Sequence, residues 1–238
     1  MNLIRFKGFK AVDEPELCQV FAKGHFGVLA KYGITNISTN NVHWMSNPFV
    51  YGIVAFNEKD EAVGGIRVQM SGENSKLPLE IAVNSLDDKV SLFLESFKGQ
   101  ETAEVCALWN SHSVAGHGFS IMLFHAGIAL ASMLKVEVLF TICAEYTLKM
   151  VESVGFKQIN ELGVNGLFEY PSSAYQARIL RLDDLDDFKK CDPKARQEIL
   201  SIRRSNRNYF VRRPKDKNYV VHYDLDFKKI YEEYHKRS

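Results

Sequence analysis

From Ala103 to Phe156 the chain reads AEVCALWNS, HSVAGHGFS, IMLFHAGIALASMLK, VEVLFTICA and EYTLKMVESVGF. That is strand, glycine loop, apolar helix, strand, helix. This order constrains the fold more than any other stretch. A helix apolar on nearly every side must be buried between a sheet face and further layers. Val136–Ala144 is a near-continuous apolar run, the pattern of a strand inside a covered sheet. An α/β architecture satisfies both. The loop also carries chemistry, because Gly116 and Gly118 stand directly before the apolar helix. The first amides of a helix lack internal partners and lie at the positive end of its dipole, which suits a phosphate or pyrophosphate. Glycines let the backbone approach such an anion closely.

The flanking segments extend the pattern. Asn2–Lys10 predicts a strand, and residues 14–31 a helix weakened by Gly24 and Gly27, either whole or as two shorter pieces. ITNISTNNVHWMSNP reads as a polar surface loop. Phe49–Phe56 and Ala62–Met70 read as a hairpin turning at Asn57–Glu61. Ser85–Gly99 predicts a short helix, and Thr147–Val154 another, closed by Gly155. Strand material follows at Phe156–Asn160, Gly166–Tyr170 and Ala177–Leu182. Beyond Asp183 the chain turns strongly charged, so residues 1–182 read as one domain and 183–238 as a charged C-terminal extension.

Composition narrows the function classes. A formal net charge of +1 gives no global drive towards nucleic acid or acidic membrane. Cys18, Cys106, Cys143 and Cys191 are scattered, without CxxC spacing, so buried free thiols are expected rather than a metal site or a disulfide framework. MNLIRFKGFK has no apolar core or cleavage site of a signal peptide, and residues 119–134 are too short to span a bilayer. The expected location is cytoplasmic.

Residues 50–182 resemble the GCN5-related N-acetyltransferase (GNAT) superfamily in three places. GIVAFNEKDEAVGGIRVQ is similar to its central hairpin, SHSVAGHGFS to its pyrophosphate loop, and EYTLKMVESVGF to its late helix ending in Gly-Phe. GGIRVQMSGENSKLPLE followed by AEVCALW resembles the acyl-homoserine lactone synthases and related N-acyl amino acid synthases. There an Arg-bearing strand and a Glu-x-x-Arg strand precede the loop; Glu104 matches that Glu, and Ala107 replaces the Arg. Ser113 replaces the usual Arg or Gln of the loop, and Val151 the usual Tyr of the late helix.

The resemblance implies an α/β (α+β) fold with a mixed central sheet of about six to seven strands flanked by helices. It implies transfer of an acetyl or other acyl group from acyl-coenzyme A, without a metal, to the primary amine of a small molecule. An acyl-carrier protein is the alternative donor, and a non-catalytic coenzyme A or partner binder the alternative class. Leu108, Trp109 and Asn110 would polarise the thioester carbonyl through backbone N–H groups and pair with the pantetheine arm. Val114, Ala115, Gly116, His117, Gly118 and Phe119 would hold the pyrophosphate. Glu104 is the candidate base, its alternative being an ion pair with Arg67; strand alternation places Glu104, Cys106, Leu108 and Asn110 on one face. Ser111 and Cys143 are candidates to protonate the departing thiolate. Trp109 reads first as packing, His125 as a core residue, and His112 and His117 as solvated loop residues. The tail's Arg203, Arg204, Arg207, Arg212, Arg213, Lys215 and Lys217 surround Tyr209 and Phe210. They read first as a solvated face, with RNA, the 3′-phosphate of coenzyme A or an acidic carrier as alternatives.

Overall fold

The computed structural model describes residues 2–34, 42–72, 75–204, 207–212 and 219–225, with only the backbone for 207–212. Its strands are β1 (Asn2–Lys10), β2 (Val50–Phe56), β3 (Ala62–Met70), β4 (Thr102–Asn110), β5 (Val138–Ala144), β6 (Lys157–Gln158), β7 (Phe168–Glu169), β8 (Gln176–Leu182), β9 (Arg207–Arg212) and β10 (Tyr219–Asp224). The helices are α1 (Pro15–Ala30), α2 (Pro78–Val83), α3 (Lys89–Glu95), α4 (Phe119–Met133), α5 (Glu145–Ser153) and α6 (Pro193–Arg204). All strands belong to one mixed sheet in the order β6-β8-β5-β4-β3-β2-β1-β10-β9, with β7 also on β8. The pairs β4–β5 and β1–β10 are parallel; the others are antiparallel.

The α/β architecture is the expected one, with ten strands among the described residues rather than six to seven. Part of the surplus comes from the charged extension. Composition changes after Asp183, but architecture does not. Cys191, Ala195, Ile199 and Ile202 join the core beside α4, and Tyr223 packs edge-on against Phe6 of β1 at 4.9 Å. The charges of α6 face outward from one apolar stripe, which is how so polar a segment buries a helix face.

The sheet is covered on both sides. On one side Ile66, Val68, Val105 and Leu139 pack with α4, α5 and α6. On the other side two separate clusters form. Phe21 of α1 meets Phe9, Trp44, Val54 and Trp109, while Leu79, Val83 and Val90 of α2 and α3 meet Phe140 and Ile179. Two readings are refined here and one, the surface loop, is corrected. Ser85–Gly99 holds α3 with a turn on either side, and α2 precedes it, started by Pro78 at its first turn. Trp44 of the expected surface loop is only 5% exposed and stacks edge-on with Phe21. Residues 35–41 of that stretch lie outside the described ones. Residues 15–30 form one continuous helix.

Gly24 has a packing role. A Cβ there would overlap the Trp109 indole, whereas one at Gly27 meets nothing within 4 Å. Helix propensity favours Ala over Gly by about 1 kcal/mol at either site, but overpacking costs about 1–3 kcal/mol. Thermal melts are expected to place Gly24→Ala below and Gly27→Ala above the wild type.

No helix among the described residues is long and apolar enough to cross a membrane.

Candidate active site

β4 and β5 start as partners and then separate. Their ladder runs only through Thr102–Val138, Ala103–Leu139 and Glu104–Phe140. Beyond it, Thr141 Oγ1 donates to the Val105 carbonyl at 2.9 Å, filling one position that a strand would have filled. On its other edge β4 is bulged: Gly65 pairs with Trp109 but Arg67 with Cys106. Ala107 sits in the bulge with φ +51°. An extra residue on one strand bends it and reverses the alternation beyond.

The bulge corrects the expected common face. Glu104 points towards α2, where the Leu79 amide donates to Oε2 at 2.5 Å. Leu108 and Asn110 turn to the α4 side: Leu108 packs on that core, and the Ser120 hydroxyl donates to Asn110 Oδ1. Trp109 lies on the α1 side, edge-on to Phe21 at 6.1 Å and opposite Gly65. A Cβ at Gly65 would come within 2.7 Å of the Trp109 Nε1. Packing is therefore the main work of Trp109.

A cavity of about 540 Å³ passes through the gap between the strands, within the roughly 300–1,000 Å³ common for ligand sites. Glu104, Cys106 and His25 line it on the α1 side, and Leu108, Asn110, Ser120 and Phe124 on the α4 side. Cys143 and Val151 line it from β5 and α5. Ser111 stays outside: its hydroxyl shares a 2.6 Å hydrogen bond with Ser113 in an exposed turn. Cavity-lining positions not foreseen from sequence include His25, Tyr146, Tyr170 and Tyr175. Nothing in local spacing marks them, because they come from three separate elements.

Electrostatically the cavity floor is unusual. Glu104 is fully buried, its Oε1 lacks a hydrogen-bond partner, and burial pushes its carboxyl up to about 8 against the pull of Leu79 and Arg67. Arg67 is also buried, with its guanidinium 4.9 Å from the Trp44 ring, and it stands opposite Cys106 in the sheet, where its charge acts on the thiol. Among the described residues Arg67 and Glu104 form no direct ion pair, so the guanidinium acts on the carboxyl through space. Burial, then the Arg67 charge, hold the His25 imidazole down to about 4, which leaves it neutral at pH 7. Burial pushes the Cys143 thiol up to about 11, against the opposing pull of the nearby Thr147 hydroxyl and the Arg178 charge.

The glycine loop lies at one end of this strand. Ser111 N–H donates to the Val63 carbonyl at 2.8 Å, and a 3-10 turn at His112–Val114 follows. Gly116 and Gly118 take φ of +73° and +78°, and Gly118 is the N-cap of α4. The amides of Val114, Ala115 and His117 donate within the loop, to Ser111, His112 and Val114. The amides that open α4, those of Phe119, Ser120 and Ile121, carry no intrahelical bond, since the first return bond is Met122 N–H to the Gly118 carbonyl. His125 lies on the buried side of α4, its Nδ1 3.2 Å from Glu198 of α6. Arg203 of the basic tail is spent on structure, donating to the Asp186 carbonyl at 2.8 Å and to Ser132 Oγ at 3.1 Å. Arg213, Lys215 and Lys217 lie outside the described residues, as do the side chains of Arg207, Tyr209, Phe210 and Arg212.

Solved structures share this fold. FeeM, an N-acyl amino acid synthase from uncultured soil microbes, superposes with a TM-score of 0.60 at 16% identity, over 83% of this chain and 99% of that one. ElaA of Escherichia coli gives 0.54 at 8% identity, over 75% and 98%. BjaI, a coenzyme A-dependent acyl-homoserine lactone synthase, gives 0.52 at 13% identity, over 84% and 90%. No protein-family profile and no curated protein sequence matches the chain. At these identities the likeness establishes the fold alone, the α/β fold with a mixed central sheet that the loop and hairpin resemblance implied.

The raised Glu104 value has a definite sign. Its contribution to stability is fully present below the ordinary carboxylate value of 4.5 and is lost as pH rises through about 8. Glu104→Gln removes that loss. Denaturant titrations at pH 5, 7 and 9 should show the variant gaining on the wild type as pH rises, by on the order of a few kcal/mol. A constant difference across the range would place the carboxyl in an ordinary environment.

Proposed function

We propose that this chain is an N-acyltransferase that moves an acyl group from acyl-coenzyme A to the primary amine of a small molecule by direct attack on the thioester. The observation that carries this reading is the cavity running through the opened sheet, with the buried Glu104 carboxyl, one oxygen of it unpartnered, on one side and a helix N-terminus beyond the end of β4. A separated strand edge offers backbone groups to an extended ligand, as an added strand would use them. Pantetheine is such a ligand. Its pyrophosphate would lie against the glycine loop on the amides that open α4, since those of Val114, Ala115 and His117, expected to hold it, donate within the loop.

The chemistry follows from the two sides of the gap. The amine approaches from the α1 side and attacks the carbonyl carbon, forming C–N while C–S breaks. Glu104 takes the amine proton, directly or through one water. Its elevated value suits that task near neutral pH, because a base works best when its pKa lies close to the working pH. The developing oxyanion meets backbone N–H groups at Leu108–Asn110. The thiolate then needs a proton. Val151 has none to give and Ser111 lies outside the cavity, so the supply falls to Cys143, whose thiol stays protonated at neutral pH, or to water.

Cavity size bears on the acyl group. Ile66, Phe124, Ile142 and Met150 line an apolar volume far larger than an acetyl group fills, which supports a longer acyl chain. Each buried methylene adds about 0.8 kcal/mol. Thermal shifts with acetyl-, hexanoyl- and decanoyl-coenzyme A are therefore expected to rise with chain length, and no shift with any of them would count against coenzyme A as the carrier. Gly118→Glu places a carboxylate in open space before the helix, at a positive φ costing about 1–2 kcal/mol. It should abolish coenzyme A binding in calorimetry while the protein still melts cooperatively. In steady state, kcat/KM is expected to rise with pH through an apparent value near 8, a limb that Glu104→Gln removes along with most of the rate.

A further inference from the structure

The glycine loop is held from one side by β4 and β3, through Ser111 N–H on the Val63 carbonyl. Its other side rests on a residue more than a hundred positions away in the chain. Tyr219, the first residue of β10, is 5% exposed and brings its hydroxyl to 3.3 Å from His117 Nδ1. The two rings lie 5.4 Å apart. The same phenol ring meets Phe119 edge-on at 5.1 Å and 86°. β10 is itself fixed, because Asn2 of β1 stands opposite Tyr219 and Arg212 of β9 pairs with it on the other edge.

Gly116 and Gly118 make the turn possible but supply no rigidity, since glycine visits several backbone conformations at little cost. A loop that must aim amides at a phosphate gains affinity when its conformation is fixed beforehand. His117 lies between the two glycines and Phe119 follows them, so a residue gripping both brackets Gly118, the N-cap of α4. We propose that Tyr219 is a positioning residue for the coenzyme loop, setting His117 and Phe119 so that the opening amides of α4 face the pyrophosphate. This rests on the acyl-coenzyme A reading above. It also gives the C-terminal hairpin a part in ligand binding that does not depend on its charge.

Tyr219→Phe tests it, because the ring and its contact with Phe119 remain while the hydroxyl is lost. The probes are coenzyme A and pantetheine, which lacks the nucleotide and pyrophosphate. One hydrogen bond is worth about 1 kcal/mol, so calorimetry is expected to show coenzyme A binding weakened about 3–10-fold and pantetheine binding unchanged. In turnover, KM for acyl-coenzyme A should rise by the same factor, with kcat and the KM for the amine unaltered. In a His117→Gln background the Tyr219 substitution should add nothing further. Unchanged coenzyme A affinity in Tyr219→Phe overturns the proposal, and so does an equal loss for both probes, which would mean a general structural defect. Wild-type protein with no affinity for coenzyme A would instead remove the acyl-coenzyme A reading, and the positioning role with it.

Discussion

Everything at the candidate site follows from the point where β4 and β5 stop sharing hydrogen bonds. Parallel strands inside a covered sheet normally stay paired, since an unpaired buried amide or carbonyl costs free energy comparable to a lost hydrogen bond. Here pairing ends at Glu104 and Phe140, and the apolar layers on both sides do not close over the gap. On the α1 side the two clusters, one around Phe21 and one around Phe140, leave room between them. On the α4 side the glycine loop turns the chain away. The sheet is thus continuous enough to fold as one body and open enough to admit an extended molecule.

Charge inside this framework is sparse and deliberately placed. Arg67 sits beneath Trp44 and beside Cys106, and its field reaches His25, Glu104 and Cys18 without a direct ion pair. A buried pair in contact would hold the carboxylate firmly ionised. Separation weakens that pull, so desolvation wins and Glu104 stays poised between its two forms. The α2 helix contributes as well: the Leu79 amide fixes the carboxyl's orientation through Oε2, while Oε1 has no hydrogen-bond partner.

Much of the fold was legible because long segments carried one periodicity each. The apolar α4, the β2–β3 hairpin and the order of β4, α4, β5 and α5 follow from pattern alone. Errors arose where a single residue or a distant partner decides. The bulge at Ala107 has no local signature, so alternation placed Leu108 and Asn110 with Glu104 although they face the other way. Helix α2 is too short to show a period, and the buried Trp44 lies in an otherwise polar stretch. The largest surprise is the charged tail. Its strand β10 alternates Tyr219, Val221 and Tyr223 inward, a pattern of only a few residues that composition obscured. At the site, Glu104 and the glycine loop were readable from spacing and resemblance, whereas His25 and the tyrosines reach the cavity only through tertiary folding.

The parallel pairing of β1 with β10 also matters for how the chain is made. β1 leaves the ribosome well before β10, because all the other strands lie between them in the chain. In the interval β1 can pair with β2, yet its other edge presents unsatisfied backbone groups beside the apolar Ile4 and Phe6. Such an edge is a template for association with other chains. Lys7 and Arg5 on the same strand, each paired with a carboxylate in the finished fold, put charge along it throughout that exposed period. The chain must therefore stay soluble through a nascent stage in which the β1 edge lacks the cover that β10 later gives it.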